Sequence, residues 1–81
     1  MAEVIIVAPI EGGWCVQRGM SEPWMFETRD QAEWSARRLG ELLAEAGAVA
    51  EVRVLTAGGR PEARFVLAHS DIMAGASLQS V

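Results

Sequence analysis

Residues 28–47, TRDQAEWSARRLGELLAEAG, decide the fold, because they hold the long helical periodicity of the chain. Thr28 followed three residues later by Gln31 is the pattern of a capping box, which satisfies two backbone donors that the first turn leaves free. Asp30 adds a carboxylate at the positive end of the helix dipole. Gly47 suits the left-handed position that ends a helix, since it has no Cβ to clash. At ~100° per residue, Ala32, Ala36, Leu39, Leu43 and Ala46 share one face, with Ser35 and Leu42 at its border. Glu33, Arg37, Arg38, Glu41 and Glu45 occupy the other. The spacing predicts i,i+4 ion pairs from Arg37 to Glu33 and Glu41. Trp34 stands in the middle of that charged face, away from the Ala/Leu stripe, with Arg38 one turn on and placed to lie over its ring.

The flanking segments read as strands that need this helix. Val4–Ala8 is a continuous apolar run ended by Pro9, which implies an interior strand. Glu11-Gly12-Gly13 offers a hairpin turn into a second strand, 14–18, in which Trp14 and Val16 face one way and Cys15 and Gln17 the other. A third strand, 24–27, places Trp24 and Phe26 on one side, so Trp14 and Trp24 are both expected in the core under the helix. Beyond Gly47, strands are expected at 50–55 and 62–68, with Val52, Val54, Ala63, Phe65 and Leu67 inward and a Gly58-Gly59 turn between. Glu51, Arg53, Glu62 and Arg64 are expected to pair across those strands on a solvated face. The expected fold is therefore α+β, β-β-β-α-β-β, an antiparallel sheet with one helix packed on one face. Residues 1–69 form a single domain, and 70–81 a tail, disordered or stabilised by a partner.

Composition narrows the function. Eighty-one residues make one domain, which buries only about 60% of its unfolded surface. The single cysteine, Cys15, excludes an internal disulfide and fits a reducing cytoplasm. The run 4–8 is too short to span a bilayer, and no targeting segment is expected. A net charge of −4 disfavours nucleic acid and anionic membrane as default partners. All seven basic residues are arginine, while Lys, Asn and Tyr are absent, the imprint of a GC-rich bacterial genome.

No catalytic constellation stands out. Cys15 and His69 have no orienting third group other than Asp71, and a strand thiol is the simpler reading of Cys15. One His and one Cys do not make a metal site, and no cofactor motif is present, since the glycine pairs lack phosphate-loop spacing. The chain reads as a non-enzyme that binds proteins or associates with itself, most simply as a two-fold homodimer. Trp34, Arg37, Arg38 and Glu41 are the candidate interface, because exposed Trp beside Arg is the composition of binding hot spots. An unpaired sheet edge is the other candidate surface. The alternative is a nucleic-acid-associated accessory protein using Arg18, Arg29, Arg37 and Arg38 as a local basic patch.

Gly12-Gly13-Trp14-x-Val16, then Thr28 ahead of Ala32 and Ala36, then a hairpin closing on Gly59-Arg60, resembles the small bacterial proteins grouped as domain of unknown function 2188. The resemblance spans about residues 4–67 and implies a fold and a bacterial source, with no activity attached. The loop after the second strand lacks the lysines common in that group, and Trp34 replaces a charged residue. The strand-strand-strand-helix outline is also similar to the antitoxin partner of double-stranded-RNA-binding-like toxins and to the plant-type three-stranded DNA-binding domain. The first one's Pro-Asp-Leu-x-Gly-Cys stretch is missing here, and the second one's row of sheet arginines is reduced to Arg18, with Arg53 and Arg64 elsewhere.

Overall fold

The computed structural model describes residues 2–68. The element order is β1 (Ala2–Ile10), β2 (Gly13–Arg18), β3 (Trp24–Phe26), α1 (Arg29–Glu45), β4 (Val49–Leu55) and β5 (Pro61–Leu67). These form one five-stranded sheet in the order β3-β2-β1-β4-β5, with α1 on one face. The expected element order holds, and residues 70–81 lie outside the described part of the chain.

The sheet is mixed, which corrects the antiparallel expectation. β1 pairs antiparallel with β2 and β2 with β3, but β1 and β4 run parallel. The reason is directional. In a three-stranded meander the two outer strands, β1 and β3, point the same way. A helix that returns along the sheet after β3 makes the next strand point that way too, so β4 is parallel to whichever edge it joins. It joins β1, giving the chain's most apolar run a neighbour on each side.

β1 is longer than expected and includes Pro9, which pairs with Trp14 of β2. Its missing N–H costs no ladder bond to β4, because the described β1–β4 register ends at Val7 opposite Val54. The β1–β2 turn is tight: Ile10 faces Gly13, and Gly12 takes φ +86°, which a side chain would strain. At Gly13 the requirement is space, since a Cβ there would run into the Phe26 carbonyl oxygen of β3.

The helix begins and ends where its sequence says. The Gln31 N–H donates to Thr28 Oγ1 at 3.2 Å, and Gln31 Oε1 accepts from the N–H groups of Thr28 and Glu27 at 3.3 and 3.2 Å. At the other end Gly47, at φ +97°, donates to the Ala44 carbonyl and Ala48 to that of Leu43. Those two bonds are the Schellman arrangement. The face against the sheet differs from the expected Ala/Leu stripe. Ala32, Ala36, Gly40 and Ala44 are the buried residues, an unbroken i,i+4 row of the smallest side chains. Leu39 and Leu43 pack beside it, partly exposed. A Cβ on Gly40 would lie 2.8 Å from Leu67 Cδ1, so the backbone of α1 rides directly on β4 and β5.

The core between helix and sheet is correspondingly thin. Its largest fully buried side chains are Ile5, Val7, Val16, Val52 and Val54. Trp14, Phe26, Phe65 and Leu67 close its margins. Inward-facing residues on β4 and β5 match the alternation read from sequence.

Candidate functional site

With the helix covering one face, no described element covers the opposite face of the sheet. Register places Val4, Ile6 and Ala8 of the central strand on it, because their neighbours Ile5 and Val7 are the ones buried under α1. Across the ladder Ala8 lies opposite Cys15, and Cys15 opposite Met25. One apolar row, Ala8–Cys15–Met25, thus extends from β1 over β2 to the β3 edge, while Ile6 has the polar Gln17 as its β2 neighbour. Toward β5 the face becomes charged, since Ile6 neighbours Arg53 and Arg53 neighbours Arg64. Glu51 accepts hydrogen bonds from Arg53 Nε and, at 2.9 Å, from Arg64 Nε. Those bonds, from Arg53 first and Arg64 second, hold the Glu51 carboxyl down at about 2. Glu62 does not join this cluster as expected. It turns to the helix start and accepts from Arg29 at 3.0 Å, next to the register shift at Leu55 and Pro61.

The second open surface lies where α1 meets the β3 edge. Large apolar side chains are exposed on this side: Trp34 at 69%, Met25 at 64%, and Trp24 and Leu42 at 50% each. Met25, Phe26, Glu27, Asp30 and Trp34 line an open groove of about 590 Å³. A shallower hollow of about 210 Å³ adjoins it, walled by Val16, Trp24, Phe26 and Leu39. Trp24 was expected in the core with Trp14 and corrects that reading. Trp14 packs at the core margin, but Trp24 sits on the edge strand β3, at the border of the helix's cover. Met25 belongs to both surfaces, so the apolar field wraps around the β3 edge.

Of the candidate interface, Trp34 and Arg37 border one shallow hollow with Asp30 and Glu33, and Arg37 and Glu41 border a second with Phe65. Trp34 is exposed as expected, and on its other side it shares a groove with Met25 and Phe26. Arg37 turns the other way and lies over the Phe65 ring, 4.1 Å from its centroid, so the expected pairs with Glu33 and Glu41 do not form. Arg38 pairs with Glu41 at 3.4 Å and does not stack on Trp34. Glu33 pairs instead with Arg29 at 3.3 Å.

The arginines of the nucleic-acid alternative are dispersed. Arg29 lies 5.7 Å over Trp14, at the beginning of β2, and bridges to Glu62. Arg18, at the other end of that strand and so roughly 13 Å away at ~3.3 Å per residue, is held by Glu3. Arg37 faces β5, and Arg38 the outer side of the helix with Glu41.

Cys15 is a free, half-buried thiol on the open sheet face, and His69 and Asp71 lie outside the described residues. Among the described residues no group of three His, Cys, Asp or Glu side chains is arranged to hold a metal ion, and no helix is long and apolar enough to cross a membrane. Sequence reasoning missed Trp24, Val4, Ile6 and Ala8 as surface residues. The signal for the last three was the uninterrupted apolarity of 4–8, since one helix can cover only one face. Comparisons with protein-family models, with curated proteins and with solved structures gave no match.

Proposed function

We propose that this protein is a non-enzymatic protein-interaction module of the bacterial cytoplasm, related to the domain of unknown function 2188 group, that associates with a second copy of itself through its open sheet face. The observation that carries the reading is the apolar field of Val4, Ile6, Ala8, Cys15 and Met25 with no second layer over it among the described residues. A sheet face of this kind, apolar on its central strand, is ordinarily packed against something. A two-fold axis through β1 would bring the apolar fields of two copies together. Each Glu51–Arg53–Arg64 cluster, two arginines on one carboxylate, keeps a net positive charge and would have to stay solvated at the rim.

Size sets the strength. Three strands ~4.8 Å apart and about six residues long offer on the order of 300 Å² per copy, well under the ~800 Å² of a standard stable interface. The association is therefore weak and reversible. Sedimentation velocity over a range of concentrations should show a monomer–dimer equilibrium. Ile6→Lys should abolish it without unfolding the chain, while Ile6→Thr should only weaken it. A wild type that stays monomeric at the highest attainable concentration would refute the reading. Repeating the measurement on a chain ending at Ala68 separates association between copies from cover supplied by residues 69–81.

A further inference from the structure

The charges of this molecule are segregated. Glu22, Glu27 and Asp30 make no ion pair among the described residues, and all three flank β3 and the first turn of α1. Arg29, the one basic residue in that stretch, is drawn across the helix to Glu33 and Glu62. The same stretch holds exposed Trp24 and Met25, and Glu27 and Asp30 form the rim of the groove whose far wall is Trp34. β3 is the outermost strand, so one side of its backbone has no strand neighbour. An apolar groove, a rim of carboxylates without ion-pair partners among the described residues and an unpaired strand edge thus coincide, on a surface distinct from the dimer face proposed above except at Met25.

We infer that the groove between β3 and α1 takes an extended, basic segment of another protein. The segment adds along β3, seating an apolar side chain in the hollow of Val16, Trp24, Phe26 and Leu39. A neighbouring lysine or arginine reaches Glu27 and Asp30 while lying on the Trp34 ring. Charge chooses this occupant over the others. A second copy paired edge to edge would bring its own Glu22, Glu27 and Asp30 against the first set, and an acidic peptide or nucleic acid meets the same repulsion. β3 is only three residues long and is preceded by Pro23, which has no N–H to offer. The backbone ladder is therefore short, and most of the recognition rests on side chains and on charge.

The test uses two labelled eight-residue peptides, one alternating lysine with valine or leucine, the other with glutamate in place of lysine. Binding is followed by fluorescence anisotropy at low and moderate salt, on the full chain and on the Ile6→Lys variant, so that loss of self-association cannot be mistaken for loss of this site. The lysine peptide should bind saturably to both proteins, weaken with salt, and lose roughly tenfold in affinity with either Trp34→Ala or Glu27→Gln. Both variants should fold: Trp34 is exposed, and the backbone bond from Glu27 to Gln31 is kept. Glu45→Gln, an equally unpaired carboxylate at the far end of α1, should change nothing. Equal binding of the glutamate peptide, no binding of either, or equal losses at Glu27 and Glu45 would overturn the proposal. A change of oligomeric state with Glu27→Gln would also overturn it, by assigning the groove to a second copy.

Discussion

Arg53 and Arg64 both donate to the Glu51 carboxylate, and the two bonds set its titration. A carboxyl held at about 2 is depressed from its ordinary range near 4.5, so its contribution to stability is complete above that range. That contribution is lost as pH falls through the interval down to about 2. A side-chain NMR titration should find Glu51 still ionised where an ordinary glutamate is protonated. Arg53→Gln should raise its pKa more than Arg64→Gln does. An unshifted Glu51 in the wild type would mean that the two arginines do not hold it in solution.

Gly40 poses a different residue-scale question, in which two effects nearly cancel. Alanine at this mid-helix position gains about 1 kcal/mol in helix propensity. Its methyl would press on Leu67 Cδ1, the movable end of a side chain on the last strand, while Val52 and Ala50 stand at ordinary contact distances. Repacking of that kind costs about 1 kcal/mol at the low end of its range. Gly40→Ala should therefore be near neutral in urea unfolding. Gly40→Val, with branches that also meet Val52, should lose more than ~2 kcal/mol. A neutral valine would show that α1 does not sit as close to β4 as described.

At the scale of the element, α1 is stabilised by its ends as much as by its face. The buried row Ala32-Ala36-Gly40-Ala44 brings little apolar area, so the reciprocal cap of Thr28 and Gln31 carries a large share of what keeps the helix in place. Thr28→Ala removes the acceptor of the Gln31 N–H and should cost about 1 kcal/mol. Gln31→Ala, which frees two exposed donors that water can satisfy, should cost less. Chemical denaturation of the two variants checks the order. A Thr28→Ala loss of only a few tenths would mean that sheet packing alone fixes the helix. β3 is the opposite case: three residues long, aromatic, and at the edge, it is held only along its β2 side and by the start of α1. Edge strands this short are usual where a sheet avoids unwanted pairing. Its apolar side chains run against that habit, and they belong to the groove.

At the scale of the molecule, one helix and five strands leave one face of the sheet without a second layer among the described residues. The core that α1 does close is made of valine, isoleucine and alanine, so the isolated chain has little stability in reserve. Self-association through Val4, Ile6 and Ala8 would add burial that the monomer lacks. In that case thermal unfolding should shift upward with protein concentration in the wild type and not in Ile6→Lys. The segregation of charge belongs to this scale too. Ion-paired arginines sit over β4 and β5, and carboxylates without an ion-pair partner among the described residues lie around β3. The two ends of the sheet are therefore suited to different neighbours.

What the sequence determined by itself was local. The caps at Thr28 and Gly47, the turn at Gly12, the alternation on β4 and β5 and the pairing face of Trp14 with Phe26 all depend on residues close in the chain, whose periods of 3.6 and 2 are written directly into it. Exposure of Trp34 was legible for the same reason, since a helix fixes which side each residue faces. Strand order was decided by tertiary structure: where β4 pairs depends on how the whole meander and the returning helix sit together, and no local period encodes it. The fate of Trp24 followed from that order. Its alternation put it on the helix face, but β3 became the sheet's edge, and α1 is one helix wide. The arginines were likewise assigned by distance in space, Arg37 to Phe65 and Arg29 to Trp14 and Glu62, because a long side chain finds partners that sequence spacing does not name.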